Sequence, residues 1–178
     1  MEHILICGKR NSGKTELLER LLAVCRIPVY GFSTGIVNTR PDGYHEIYMF
    51  PAGRTDGPLT SDNHIGDCNM SERTVYPEVF DTLGVRLLDA KPDGILVMDE
   101  IGFMETEAKR FCARVLEALD GEIPVLATVR DGTPQTEFLD RVRNHPKGRV
   151  YSVTRENVER LYAELLPVVE SWNRRLGC

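Results

Sequence analysis

The residues best suited to chemistry lie near the start of the chain, where Gly8-Lys9-Arg10-Asn11-Ser12-Gly13-Lys14-Thr15 matches G-x-x-x-x-G-K-[ST], the Walker A or P-loop pattern. The spacing has a mechanical cause. Two glycines let the backbone curl so that successive N–H groups point inward at phosphate oxygens, and the helix that follows presents its positive N-terminus to the same anion. Lys14 can then reach the β- and γ-phosphates, and the Thr15 hydroxyl suits Mg²⁺. The expected nucleotide-binding set is therefore Gly8, Lys9, Arg10, Asn11, Ser12, Gly13, Lys14, Thr15 and Glu16.

A second constellation is Asp99-Glu100, directly after the apolar run Ile95-Leu96-Val97-Met98. Both carboxylates should emerge at the C-terminal end of a parallel strand, where open α/β sheets bind ligands. Taken alone such a pair is an ordinary acidic loop or helix cap. Downstream of a P-loop it reads as Walker B, with Asp99 on Mg²⁺ and Glu100 accepting the proton of an attacking water. Glu105 is expected to be a helix N-terminal carboxylate. Arg130 closes another apolar run, and two roles stay open for it: stabilising charge on the γ-phosphate, or an ion pair with Asp131, Glu137 or an acid of the inserted loop. Arg141, Arg143, Lys147 and Arg149 read as a solvated face. Tyr44, Tyr48 and Phe50 fit packing better than stacking on a base. His3, His45, His64 and His145 are too dispersed for a metal site.

The elements that must position these groups follow from hydrophobic period. Ile4 to Cys7 reads as a strand buried on both faces, and Leu17, Leu18, Leu21, Leu22 and Cys25 mark an amphipathic helix. Residues 29–50 are β-rich around the turn Arg40-Pro41-Asp42-Gly43, which predicts an antiparallel hairpin. Ala52 to Arg73 lacks a period and reads as a surface loop. Val79 to Leu88 returns to helical spacing with Gly84 inside it, until Lys91-Pro92-Asp93-Gly94 breaks the pattern. From residue 95 onward strands (95–98, 123–129, 150–153) alternate with helices (109–119, 137–143, 156–166), with Thr154 as the expected cap of the last. Such alternation calls for a mostly parallel sheet between helices. The whole reads as one α/β domain, 1–178, carrying an insertion at about 29–74.

Composition narrows the setting. Among 178 residues, 22 Lys and Arg against 27 Asp and Glu give a net charge of −5, so an extended nucleic acid or an anionic membrane is not the expected partner. Five cysteines, Cys7, Cys25, Cys68, Cys112 and Cys178, lack CxxC spacing, which argues against zinc and disulfides and for the cytoplasm. No apolar run reaches signal-peptide or membrane-spanning length.

Together these residues resemble the THEP1-type nucleoside-triphosphatases. The likeness runs from Walker A through Gly31-Phe32-Ser33-Thr34, Val97-Met98-Asp99-Glu100-Ile101-Gly102-Phe103-Met104-Glu105 and Pro124-Val125-Leu126-Ala127-Thr128 to Val153-Thr154-Arg155-Glu156-Asn157. The D-E-[IL]-G-x-[ML]-E stretch discriminates, because a P-loop is common to very many proteins. The resemblance implies a RecA-like P-loop NTPase core and Mg²⁺-dependent hydrolysis of ATP, GTP and other triphosphates with broad base selectivity. It assigns Lys14, Thr15 and Asp99 to phosphate and metal, and Glu100 as base. Members of the family often carry Lys where this chain has Phe103, which leaves Arg130 as the substitute cation. Two other readings stay open on the residues: a small-molecule or nucleotide kinase, and a nucleotide-dependent binding switch.

Overall fold

In the computed structural model the described residues are 2–54, 56–69, 71–132 and 134–177; Cys178 lies outside them. The backbone begins with β1 (His3–Gly8), wholly buried, and turns through the P-loop into α1 (Lys14–Ala23). Strand β2 (Val29–Thr39) leads to β3 (His45–Pro51), β4 (His64–Cys68) and the short β5 (Arg73–Val75). A helical stretch follows as α2 (Pro77–Val79), a π turn (Phe80–Gly84) and α3 (Val85–Leu87). Then come β6 (Ile95–Ile101), a 3₁₀ turn (Met104–Glu107), α4 (Lys109–Asp120), β7 (Val125–Arg130), α5 (Glu137–Arg143), β8 (Gly148–Ser152) and α6 (Val158–Leu176).

All eight strands join one sheet in the order β5-β4-β3-β2-β6-β7-β1-β8. From β2 to β8 the neighbours are parallel, and from β2 to β5 they are antiparallel. The predicted α/β class with a mostly parallel core therefore holds. Strand β7 sits between β1 and β6, the RecA-like arrangement, so a third strand end stands between the P-loop and Asp99-Glu100.

Alternation along the buried strands explains the two helical layers. Ile4 and Ile6 of β1, with Ile95 and Val97 of β6, pack toward Leu17 and Leu21 of α1 and Leu165, Val169 and Trp172 of α6. Leu5 and Cys7, with Leu96 and Met98, pack on the opposite face against Phe111 and Val115 of α4 and Leu139 of α5. Both faces are covered, which is why these strands read as continuous apolar runs.

Three expectations change. The stretch 29–39 is one strand with two allegiances: Val29–Ser33 runs parallel to β6, and the remainder pairs antiparallel with β3. The hairpin was legible because turn chemistry is local; the parallel pairing with β6 is remote and leaves no local mark. The loop expected over 52–73 contains β4 and the first residue of β5, which short sequence windows with Gly66 inside do not announce. The helical stretch runs through Gly84 as expected, and a Cβ there would lie 2.7 Å from the Phe111 ring, so glycine admits that ring between α4 and the π turn. Finally, α6 passes Pro167 and continues to Leu176 because Val169 and Trp172 are buried beyond it, and Asn157 rather than Thr154 occupies its cap position.

Candidate functional site

The P-loop takes its shape from two residues with positive φ, Asn11 (61°) and Gly13 (100°). Gly13 is required twice over, since its conformation favours glycine and a Cβ would meet Val158 Cγ2 at 2.7 Å. Gly8 is tight for another reason: a Cβ there would lie 2.4 Å from Ser12 Oγ and 2.9 Å from the Val153 carbonyl. Arg155 Nε donates to Asn11 O at 2.9 Å and tethers the loop tip to the start of α6.

Lys14 lies inside this curl, 5% exposed. Its Nζ donates to Gly8 O (3.0 Å) and Lys9 O (2.9 Å) and stands 2.9 Å from Glu100 Oε2. Glu100 is held from its other side by Arg130, whose Nε lies 2.5 Å from Oε1. A carboxylate from β6 thus bridges a cation from the P-loop and a cation from the end of β7. Arg130 pairs with Glu100, and neither Asp131 nor Glu137 is its partner as the alternative expectation had it. Its carbonyl accepts from Arg143 Nη2, and Arg143 Nε reaches Asp131 at 3.2 Å. Arg143 is accordingly a mostly buried strut behind Arg130, not part of a solvated face; Lys147 is tied to Glu122 and Arg149 to Glu2 and Glu164.

The register of β6 against β7 shifts between Met98 and Ile101, a bulge that spans Asp99 and Glu100 and re-aims their side chains. Asp99 accepts from Thr128 Oγ1 at 2.5 Å. Burial pushes its carboxyl up to about 6, partly opposed by that hydrogen bond and reinforced by the negative charge of Glu100. Thr15 and Asp99 line the same pocket. Thr128 was not singled out from the sequence. The available signal was a hydroxyl inside the otherwise apolar strand Val125–Val129.

Glu105 belongs to the 3₁₀ turn and is 2% exposed, with Oε1 accepting the Gly102 N–H at 2.6 Å. Burial raises its carboxyl to about 7. It stands in the first turn of this short helix, as expected, and is buried there. Phe103 puts its ring between two guanidiniums, Arg73 at 4.5 Å and Arg130 at 5.8 Å from its centre. Tyr48 and Phe50 are buried in packing, Tyr48 stacked on His64 at 4.6 Å.

Two cavities meet here. One, of about 580 Å³, lies over the P-loop between Lys14, Thr15 and Arg155. The other, of about 860 Å³, extends from Asp99 and Glu100 under the antiparallel strands. A P-loop at the end of one parallel strand, with paired carboxylates two strands away, makes this a protein of the P-loop NTPase fold.

Comparison with known proteins agrees. A family model described as NTPase matches residues 3–166. The nucleoside-triphosphatase THEP1 of Methanocaldococcus jannaschii is 29% identical over 169 residues, covering 92% of this chain and 94% of that protein. THEP1 of Thermococcus kodakarensis is 30% identical over 165 residues and 86% of each chain. The human cancer-related nucleoside-triphosphatase is 26% identical over 195 residues, covering 95% and 97%. Among solved structures, THEP1 from Aquifex aeolicus superposes with a TM-score of 0.73 at 21% identity, covering 96% of this chain and 99% of that one, which shows a shared fold. The chain belongs to the THEP1-type NTPase family and is a nucleoside-triphosphate phosphohydrolase.

Proposed function

We propose that the chain is a Mg²⁺-dependent hydrolase of ATP, GTP and other nucleoside triphosphates, releasing diphosphate and phosphate. The observation that carries this reading is the Lys14–Glu100–Arg130 chain of contacts, which joins three strand ends at one point beside the P-loop. A triphosphate seated against the N–H groups of Asn11 to Thr15 competes for Lys14 with Gly8 O, Lys9 O and Glu100. Lys14 then contacts the β- and γ-phosphates. Glu100, still held by Arg130, orients a water molecule and takes its proton, while Arg130 faces charge developing on the γ-phosphate.

Thr15 and Asp99 fit Mg²⁺: a hydroxyl and a carboxylate are hard oxygen donors, and this ion takes few protein ligands beside phosphate and water. Bound there it would neutralise charge on the phosphate oxygens. Every assigned group addresses phosphate and none the base, which favours broad base selectivity. We assign the protein to the cytoplasm on its scattered cysteines, with no membrane or extended nucleic acid as partner.

The test is phosphate release from ATP, GTP, CTP and UTP with and without Mg²⁺. Turnover should require the ion, and Glu100→Gln should lower it by roughly 10² or more with nucleotide binding retained. Full activity in Glu100→Gln would remove Glu100 from the role of base.

A further inference from the structure

The larger cavity holds far more than hydrolysis needs. A water molecule occupies about 30 Å³, whereas small organic ligands take pockets of roughly 300–1,000 Å³; this one measures about 860 Å³ and shares Thr15, Glu100 and Arg130 with the P-loop site or its rim. Its lining runs from Arg10 and Thr15 of the P-loop past Asp99 and Glu100 to Asn69 and Arg73. Its walls are mixed. Ile36, Ile47, Phe103 and Met104 give an apolar side, and Ser33 and Thr34 add hydroxyls.

Its charges are arranged unevenly. The carboxylates near the phosphate end are engaged: Asp99 by Thr128, Glu100 by Lys14 and Arg130, and Glu105 by the Gly102 amide. At the far end Glu72 accepts from the Tyr44 hydroxyl. Arg73, by contrast, has its guanidinium 4.5 Å from the centre of the Phe103 ring and makes no ion pair with any described carboxylate, and Asn69 Oδ1 shapes the turn before it by accepting from Ser71 N and Glu72 N. A cation is thus presented at one end of a nucleoside-sized cavity whose other end holds the group that activates water.

We propose that this cavity is an acceptor site, and that the enzyme also transfers the γ-phosphoryl group to the hydroxyl of a small organic anion whose negative group pairs with Arg73. The proposal rests on the triphosphate occupying the P-loop as described above. The acceptor hydroxyl oxygen bonds to the γ-phosphorus, the bond to the β,γ-bridging oxygen breaks with its electron pair leaving on the diphosphate, and the hydroxyl proton passes to Glu100. Water takes the same place when the cavity holds no acceptor.

The experiment incubates the full chain with γ-labelled ATP and Mg²⁺ beside glycerate, glycerol 3-phosphate, ribose 5-phosphate and nucleoside monophosphates, with glycerol, ribose and nucleosides as uncharged counterparts. Label should move from inorganic phosphate onto at least one anion, about tenfold less onto its uncharged counterpart. Arg73→Glu should lower that transfer about tenfold or more and Arg73→Lys should largely retain it, while phosphate release without acceptor stays within about twofold in both. Label found only in inorganic phosphate across the panel, or transfer indifferent to Arg73→Glu, overturns the acceptor site. Phosphate release without acceptor is read separately, so the failure of hydrolysis and the failure of transfer are told apart.

Discussion

The parallel and antiparallel halves of the sheet are built on different rules. Strands β1, β6 and β7 are buried almost throughout, whereas β2 is increasingly exposed beyond Ser33 and β5 is largely exposed. A strand covered on both faces can hold its end residues at fixed positions, because every side chain below them is locked by packing. That is where Lys14, Asp99, Glu100, Thr128 and Arg130 converge. The antiparallel half is covered less and contributes wall, volume and Arg73, which rests on the Phe103 ring. The proposed chemistry sits at the ends of the first half, and the proposed acceptor contact sits in the second.

The sharpest test of that division is Lys14→Ala, expected to cut turnover by about 10³ or more, against Arg40→Ala on the hairpin, expected to leave turnover and thermal stability unchanged. Arg40 is paired only with Asp42 and stacked near Tyr44, at the exposed tip. Equal losses in the two variants would erase the distinction. Next, Phe111→Ala should destabilise by about 3–5 kcal/mol in urea titration, since this ring touches Phe32 and Phe80 and fills the space left by Gly84.

A pH-dependent effect of similar origin is expected at Glu105. Its carboxyl titrates at about 7 in the fold against an ordinary value of 4.5, so the fold favours the protonated acid. That contribution is complete below the ordinary value and lost as pH rises through 7, up to about 3 kcal/mol. Glu105→Gln mimics the protonated form and should therefore be more stable than the parent at pH 8 yet similar to it at pH 4, as read by melting at both pH values. Thr128→Val removes the hydroxyl that aims Asp99 and should slow turnover about tenfold with the melting temperature nearly unchanged. Smallest of all, Ile36→Thr, on the half-exposed strand of the hairpin, should shift stability by no more than about 0.5 kcal/mol.

Much of the parallel half was legible because its signals are local: Gly8 to Thr15 states its own geometry, and the run Ile95 to Met98 followed by Asp99-Glu100 states its own strand and strand end. The burial of Glu105 was not legible because nothing in Met104-Glu105-Thr106-Glu107 reveals that the turn is covered. The same holds for Arg143, which looks like one of four surface cations until α5 is packed against β7. Residues 29–39 were half legible, since a strand's composition does not disclose whether its partner is six residues or sixty away.

By itself the sequence determined the P-loop spacing, the Asp99-Glu100 pair at a strand end and the layered α/β class, because each depends on spacing within a few residues or on the period of apolar positions. Tertiary structure decided which charge meets which. It placed β7 between the two motifs, set Glu100 between Lys14 and Arg130, buried Glu105, and left Arg73 without a carboxylate partner among the described residues in the lining of a wide cavity. Those outcomes depend on distances between strands remote in the chain, and electrostatic interactions are set by distance and burial, which only the folded sheet supplies.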